Sequence, residues 1–153
     1  MKITDVLQRA FVLDEIKARS KRGALEELVG VFAKGGVKAD PDAILHVILE
    51  RERLGNTGIG DGVAIPHGKI SGLDGMVVSF GRSREGIPFE AMDGKPVQLF
   101  FLLMAPENSA GQHLKVLAKI SRMLKDPVFR KNLLEAKTHD DLFRIITDKD
   151  DEC

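Results

Sequence analysis

Two runs of apolar residues at helical spacing occupy the first third of the chain. Ser20 precedes the first run as a predicted N-cap, and Gly35–Gly36 ends it. Asp40–Pro41 supplies the N-cap and the first helical residue of the second run, which Gly55 ends. The pattern therefore predicts two consecutive α-helices, each with one buried face. Their apolar stripes are Ala24, Leu25, Leu28, Val31, Phe32 and then Ile44, Leu45, Ile48, Leu49.

Short, dense apolar runs in the middle of the chain predict β-strands. Phe11–Leu13 predicts an edge strand, and Val63–Ile65 a short buried one. Met76–Phe80 and Val97–Met104 are stronger candidates. Only Gln98 interrupts the last run, so we expect a central strand that is covered on both faces.

Helical spacing returns after Pro106. Ser109 and Gln112 fit an S-x-x-Q capping box, which predicts a helix that begins at Ser109. Asp126–Pro127 and Thr138 begin two further helices, and we expect residues 148–153 to form a mobile tail. This order of elements predicts an α/β domain with a sheet between helical layers. The stripe expected to be buried on the first of these helices is Leu114, Leu117, Ile120 and Leu124.

Composition removes several classes of function. The 153 residues contain 23 Lys plus Arg and 23 Asp plus Glu, so the formal net charge is zero. A general nucleic-acid binder has a basic excess, and a membrane-surface helix concentrates basic residues. The longest apolar stretch, residues 97–105, is far shorter than the roughly 20 residues of a membrane-spanning helix. We therefore expect neither nucleic-acid binding nor membrane insertion.

The cysteine and histidine content indicates no metal site. Cys153 is the only cysteine, which excludes an internal disulfide, and the four histidines lack the spacing of metal ligands. The N-terminal residues include an early acid and no long apolar run, unlike a signal peptide. These features predict a cytoplasmic protein with no metal and no cofactor.

A glycine-rich segment separates the second helix from the first central strand. Gly58, Gly60 and Gly62 alternate within it, and glycine permits close approach to a ligand. The segment follows a helix and precedes a strand, the reverse of a dinucleotide-binding loop, and no Gly-Lys-Ser/Thr follows. Taken alone, it is as compatible with a tight connection as with a binding loop.

Three side chains near this segment are candidates for chemistry. His67, between Pro66 and Gly68 at a predicted strand end, suits an exposed nucleophile or an ordinary surface residue. His113 falls early in the third predicted helix, where the helix field favours a neutral imidazole, whether functional or merely covering the helix end. Arg51 ends the stripe of the second helix, so its guanidinium either binds phosphate or snorkels.

Residues Arg51–Gly68, RERLGNTGIGDGVAIPHG, resemble the active-site signature of the fructose/mannitol-type enzyme IIA domains of the bacterial phosphotransferase system. Within that family, the chain most resembles nitrogen-regulatory enzyme IIA. The family pattern has Ser-Thr-Gly where this chain has Asn56–Gly58, and asparagine keeps both the turn chemistry and a side-chain hydrogen bond. The resemblance covers nearly the whole chain and continues through Pro88–Phe89, Asp93–Val97, Met104–Pro106 and His113–Leu114.

The resemblance implies a fold and roles for individual residues. The fold would be a mixed β-sheet flanked by helices on both faces, in a single domain over residues 1–153. His67 would accept phosphate from an HPr-like phosphocarrier protein, with His113 as a second active-site histidine and Arg51 beside the phosphate. Backbone N–H groups would supply further phosphate contacts. The phosphate-binding residues expected in this way are Thr57, Gly58, Gly60 and Gly68.

These features favour a regulatory phosphocarrier, in which phosphate on His67 changes which target proteins the chain binds, over an enzyme that acts on a small molecule. The first alternative is a sugar-specific enzyme IIA component that passes phosphate to a separate IIB protein. The second is a binding-only module without phosphotransfer, against which the joint presence of His67, His113 and Arg51 argues. Ile59 and Ile65 are the candidates for an apolar docking rim around His67. The downstream partners and the oligomeric state, a homodimer included, stay open.

Overall fold

A six-stranded mixed β-sheet forms the centre of the computed structural model, which describes residues 2–153. Two 3₁₀ turns, Ile3–Asp5 and Arg9–Phe11, precede the first strand. The strands are β1 (Val12–Leu13), β2 (Gly58–Gly60), β3 (Val63–Ala64), β4 (His67–Ile70), β5 (Val77–Ile87) and β6 (Val97–Pro106). The helices are α1 (Lys21–Lys34), α2 (Pro41–Leu54), α3 (Gln112–Leu124), α4 (Pro127–Glu135) and α5 (His139–Glu152).

The strand β6 lies at the centre of the sheet. It pairs antiparallel with β5, while β3 and β4 both pair with it in parallel on its other side. The edge strand β1 pairs with β5 in parallel, and β2 pairs with β3 antiparallel. Apart from Gln98 and Pro106, every residue of β6 is buried, which confirms the predicted central strand that is covered on both faces.

Two neighbouring residues of β5 show that helices cover both faces of the sheet. A Cβ atom on Gly81 would lie 2.8 Å from Leu28 of α1. The next residue, Arg82, donates hydrogen bonds of 2.7 Å to the carbonyls of Leu133 and Ala136 at the end of α4. Because successive strand residues point to opposite faces, α1 and α4 lie on opposite sides. The expected mixed sheet with helices on both faces is confirmed.

Four of the predicted N-caps are confirmed. Ser20, Asp40, Asp126 and Thr138 each accept a hydrogen bond from a backbone N–H in the first turn of the helix that follows. These caps and the proline after each aspartate are local signals, so they depend little on the rest of the fold. Over residues 2–153, no helix combines the length and the apolar character that a bilayer crossing requires.

The helix α3 begins later than the capping box at Ser109 indicated. Ala110 and Gly111 both have positive φ angles, 55° and 86°, so the backbone is not helical between Ser109 and Gln112. Gly111 is the N-cap, and Ser109 contacts His113 instead. The predicted capping box is therefore wrong.

The buried face of α3 also differs from the prediction. Leu114 is exposed and Leu117 is only half-buried, although both belonged to the predicted stripe. Ile120 and Leu124 are buried as expected, and the other buried positions are Val116, Lys119 and Met123.

Residues 148–152 continue α5 and do not form the expected mobile tail. Asp150 is fully buried, forms a 2.5 Å ion pair with Lys119 of α3 and accepts a 3.2 Å hydrogen bond from the backbone N–H of Thr4. Lys2 pairs with Asp151 at 2.9 Å. These contacts fix the end of α5 against α3 and the N-terminal turn.

Candidate functional site

A cavity of about 390 Å³ lies where α2, β4 and α3 meet. It brings together Arg51, His67 and His113, which are far apart in the sequence. Gly68, an expected phosphate-binding residue, lines it as well. The full lining consists of Val47, Glu50, Arg51, Leu54, His67, Gly68, Lys69, Leu103 and His113.

His67 is the first residue of β4, a strand that the sequence pattern did not reveal. The strand pairs with β6 in parallel, with His67 opposite Leu103. The half-buried ring of His67 places Nδ1 2.8 Å from the carbonyl oxygen of Ile65. A carbonyl oxygen only accepts hydrogen bonds, so Nδ1 carries the proton and the neutral ring has its lone pair on Nε2.

Gly68 allows α2 to approach β4 beside His67. A Cβ atom at this position would lie 2.8 Å from Val47 Cγ1 on α2, closer than non-bonded carbon atoms pack. The glycine therefore sets the spacing between the helix that carries Arg51 and the strand that carries His67.

Arg51 lies in the last turn of α2, and its own loop holds it there. Its Nη1 atom donates a 2.7 Å hydrogen bond to the carbonyl oxygen of Gly55. A single bond of this kind leaves most of the five guanidinium N–H donors for an anion. The position on the cavity wall favours the phosphate-binding interpretation over simple snorkelling.

His113 is the second residue of α3, and its Nδ1 lies 3.0 Å from Ser109 Oγ. Burial lowers the pKa of His113, and the positive charges of Lys69 and, when it is protonated, of His67 lower it further. A lowered pKa favours the neutral ring, which agrees in direction with the expectation from the sequence. However, the causes are desolvation and neighbouring charges, whereas the expectation rested on the helix field.

Sequence reasoning missed two charged residues of the cavity. Lys69 lies two positions after His67 on β4, so strand alternation places both side chains on the same face of the sheet. The sequence pattern did not predict a strand at these residues, so it did not indicate that Lys69 lies beside His67. Glu50 also lines the cavity, and both its oxygens accept hydrogen bonds from Arg53, at 2.9 and 3.0 Å.

The glycine-rich segment forms a β-hairpin, and its residues do not line the cavity. Asp61 and Gly62 have φ angles of 57° and 75°, which suits the two-residue turn between β2 and β3. Three of the expected phosphate-binding residues lie here. Gly58 and Gly60 belong to β2, and Thr57 lies in the connection between α2 and β2. The hydroxyl of Thr57 is buried and donates to Glu52, so it is already engaged.

The apolar rim of the cavity differs from the expected one. Ile65 is buried, which excludes it from the rim, whereas Ile59 is exposed as expected. Leu54 lines the cavity and is 86% exposed, and Leu114 next to His113 is 60% exposed. Leu54 on the cavity lining, and Leu114 one residue beyond it on α3, are thus two exposed apolar side chains that a docking protein could contact.

Comparison with known sequences gives a consistent set of relatives. Residues 5–149 match the family described as phosphoenolpyruvate-dependent sugar phosphotransferase system, EIIA 2. The nitrogen regulatory protein of Bradyrhizobium diazoefficiens is 40% identical over 146 residues, which cover 95% of each chain. The fructose-specific EIIABC component of Bacillus subtilis is 38% identical over 150 residues, or 98% of this chain. This chain spans only 24% of the length of that larger protein.

Solved structures show the same fold. The nitrogen regulatory protein IIA-Ntr from Neisseria meningitidis has a TM-score of 0.88 and 33% identity, over 95% of this chain and 99% of that chain. The mannitol enzyme IIA of Escherichia coli, solved in a complex with phosphorylated enzyme IIB, has a TM-score of 0.75 and 22% identity, over 91% and 95% of the two chains. The family match and these relatives show that this chain belongs to the EIIA type 2 family of the phosphoenolpyruvate-dependent sugar phosphotransferase system.

Proposed function

We propose that the chain is a cytoplasmic phosphocarrier that accepts a phosphoryl group on His67 from the phosphohistidine of an HPr-like carrier. Its phosphorylation state then determines which target proteins it binds. The observation that carries the proposal is the hydrogen bond from His67 Nδ1 to the Ile65 carbonyl, 2.8 Å long, in a cavity shared with Arg51, Lys69 and His113. It leaves Nε2 as the nucleophile without a separate base.

The phosphoryl transfer needs no proton exchange with other residues of the site. Nε2 of His67 forms a bond to phosphorus as the bond between phosphorus and the donor histidine breaks. The donor, protonated on its other ring nitrogen, leaves as neutral imidazole. The phosphorylated ring of His67 keeps its proton on Nδ1, where the Ile65 carbonyl stabilises the positive charge.

Cations around the phosphoryl group supply the remaining catalysis. Arg51 offers a delocalised fork for two phosphoryl oxygens, and Lys69 adds a second fixed charge. His113 has a lowered pKa and serves as a neutral hydrogen-bond donor. Phosphoryl transfer needs mainly positioning and charge stabilisation, which these groups provide. Leu54 and Leu114 would let the carrier dock and exclude water from the phosphohistidine.

The test is an intact-mass measurement after mixing the chain with phosphoenolpyruvate, enzyme I and an HPr-like carrier. We expect a mass gain of one phosphoryl group, which His67→Ala abolishes. His139→Ala is the matched control, because His139 begins α5 and does not line the cavity. An unmodified wild-type chain would support a binding-only module, and a modified His67→Ala variant would refute the assignment of His67.

A sugar-specific IIA component is the second candidate. The similar identities to a nitrogen regulatory protein, 40%, and to a fructose-specific component, 38%, favour neither role. Incubating the phosphorylated chain with isolated IIB domains separates the two. Rapid loss of phosphate to a IIB domain supports sugar transport, whereas retention of phosphate together with phosphate-dependent target binding supports regulation.

A further inference from the structure

Glu52 is a buried carboxylate one residue after Arg51, and the cavity does not include it. Its side chain is 4% exposed. It accepts hydrogen bonds from the backbone N–H of Thr57, at 3.3 Å, and from the Thr57 hydroxyl. Lys21 of α1 lies 3.0 Å away and supplies the counter-charge. Three donors thus converge on one carboxylate, which fixes Thr57 against α2 and α1.

Two hydrogen bonds, each accepted by a backbone carbonyl, connect Thr57 to the ring of His67. The carbonyl oxygen of Thr57 accepts a 3.1 Å hydrogen bond from the N–H of Ile65. The carbonyl oxygen of Ile65 in turn accepts the 2.8 Å hydrogen bond from His67 Nδ1. Glu52, Thr57, Ile65 and His67 therefore form one continuous series of hydrogen bonds.

Contacts with Phe89 also hold Lys21 and Asn56, the residues on either side of this series of hydrogen bonds. The ammonium group of Lys21 lies 4.6 Å from the centre of the Phe89 ring, a cation–π contact. The side chain of Asn56 donates a 2.6 Å hydrogen bond to the Phe89 carbonyl and accepts a 2.7 Å one from the N–H of Gly58. Glu52 thus holds the connection between α2 and β2 at Thr57, and Asn56 attaches it to Phe89, so the carbonyl groups of this connection have defined positions.

We propose that Glu52 is a positioning residue that sets the tautomer of His67. By fixing Thr57, it fixes the Ile65 carbonyl where that oxygen holds the proton of His67 on Nδ1. Which ring nitrogen of a neutral histidine carries the proton is decided by the hydrogen bond that it makes. The consequence for phosphorylation rests on the proposed function, whereas the tautomer depends only on this geometry.

The variant Glu52→Gln tests the proposal because the amide keeps the shape of the carboxylate. Its NH₂ group cannot accept a hydrogen bond, so one of the donors from Thr57 or Lys21 loses its acceptor. We expect a larger share of the Nε2–H tautomer of His67. Phosphorylation should slow by up to about 10²-fold, as expected for a small misplacement of a reacting group.

Thr57→Val and Thr57→Ser form a second, matched pair. Valine keeps the shape of threonine without the hydroxyl, whereas serine keeps the hydroxyl. Thr57→Val should reproduce the tautomer shift of Glu52→Gln, and Thr57→Ser should retain the wild-type tautomer. Glu26→Gln is the control for the loss of one carboxylate, because Glu26 is exposed on α1.

The readout is the pair of ring ¹⁵N chemical shifts of His67 at a pH where the ring is neutral, with folding verified by urea unfolding. The proposal is overturned if folded Glu52→Gln and Thr57→Val both keep the wild-type tautomer, even if phosphorylation slows. A tautomer shift supports it. If the wild-type chain takes no phosphate while the tautomer still shifts, the proposed function fails and the positioning role stands.

Discussion

Replacing Gly68 with alanine tests how closely α2 must approach β4 beside His67. The added Cβ would lie 2.8 Å from Val47 Cγ1, about 0.7 Å short of the closest comfortable carbon–carbon separation. The other near atoms, on Ile48 and Met104, are at an ordinary 3.7 Å, so Val47 is the main obstacle. A β-branched side chain has a stiff χ1 angle and cannot turn away easily. We therefore expect Gly68→Ala to cost about 1–3 kcal/mol, as overpacking does.

A double-mutant cycle with Val47→Ala measures this obstacle directly. Val47→Ala removes the methyl group in conflict, so Gly68→Ala should cost less than about 0.5 kcal/mol in that background. Urea unfolding gives the free energies, and the phosphorylation rate of His67 should fall in Gly68→Ala and partly recover in the double variant. An equal cost of Gly68→Ala in both backgrounds would show that Val47 does not limit the approach of α2.

Three further predictions address the cavity, the core and the dependence of stability on pH. Arg51→Ala should slow phosphorylation by about 10²–10³-fold in rapid-quench assays, since it removes one electrostatic donor; an unchanged rate means that the side chain only snorkels. Ile120→Ala should cost about 2–5 kcal/mol in urea melts, whereas exposed Leu114→Ala should change stability by less than about 0.5 kcal/mol; equal losses contradict the observed face of α3. Burial opposes ionisation of Asp150, but hydrogen bonds from Lys119 and the N-terminal backbone outweigh it and lower the pKa of Asp150. Its stabilising contribution is therefore full above the unfolded pKa of about 3.9 and is lost as the pH falls through the folded pKa. Asp150→Asn should be less stable at neutral pH and lose less of its remaining stability in acid; parallel acid titrations of both proteins would refute this.

The parts of the fold that local patterns encode were predictable from the sequence. Asp40 and Asp126, each followed by proline, determine where α2 and α4 begin, and the caps form within the first turn. The density of apolar residues in β6 identified the central strand. Features that depend on distant contacts were missed. Arg82 is buried in β5 because carbonyl groups at the end of α4 accept its hydrogen bonds, and no local pattern indicates that.

In the candidate site too, the sequence indicated some residues of the cavity, whereas it missed those that depend on tertiary contacts. Family resemblance indicated Arg51, His67 and His113, and the fold brings all three to one cavity from α2, β4 and α3. Lys69 was missed because β4 forms only by pairing with β6, and the sequence gives no periodic signal over four residues. The hydroxyl of Thr57 was expected near phosphate, but the buried carboxylate of Glu52 engages it. Such competition between partners is decided by tertiary packing.

The contacts of Lys2 and Thr4 with the last turn of α5 bring the two ends of the described chain side by side. Polypeptides fused to the two ends of this unit would therefore emerge from neighbouring points on its surface. Closing the short gap between the ends needs only a few residues, so a circular permutant reopened at an exposed turn should fold. The same geometry lets an entire unit of this kind be spliced into a surface loop of a larger host without spreading the host's own strands or helices apart.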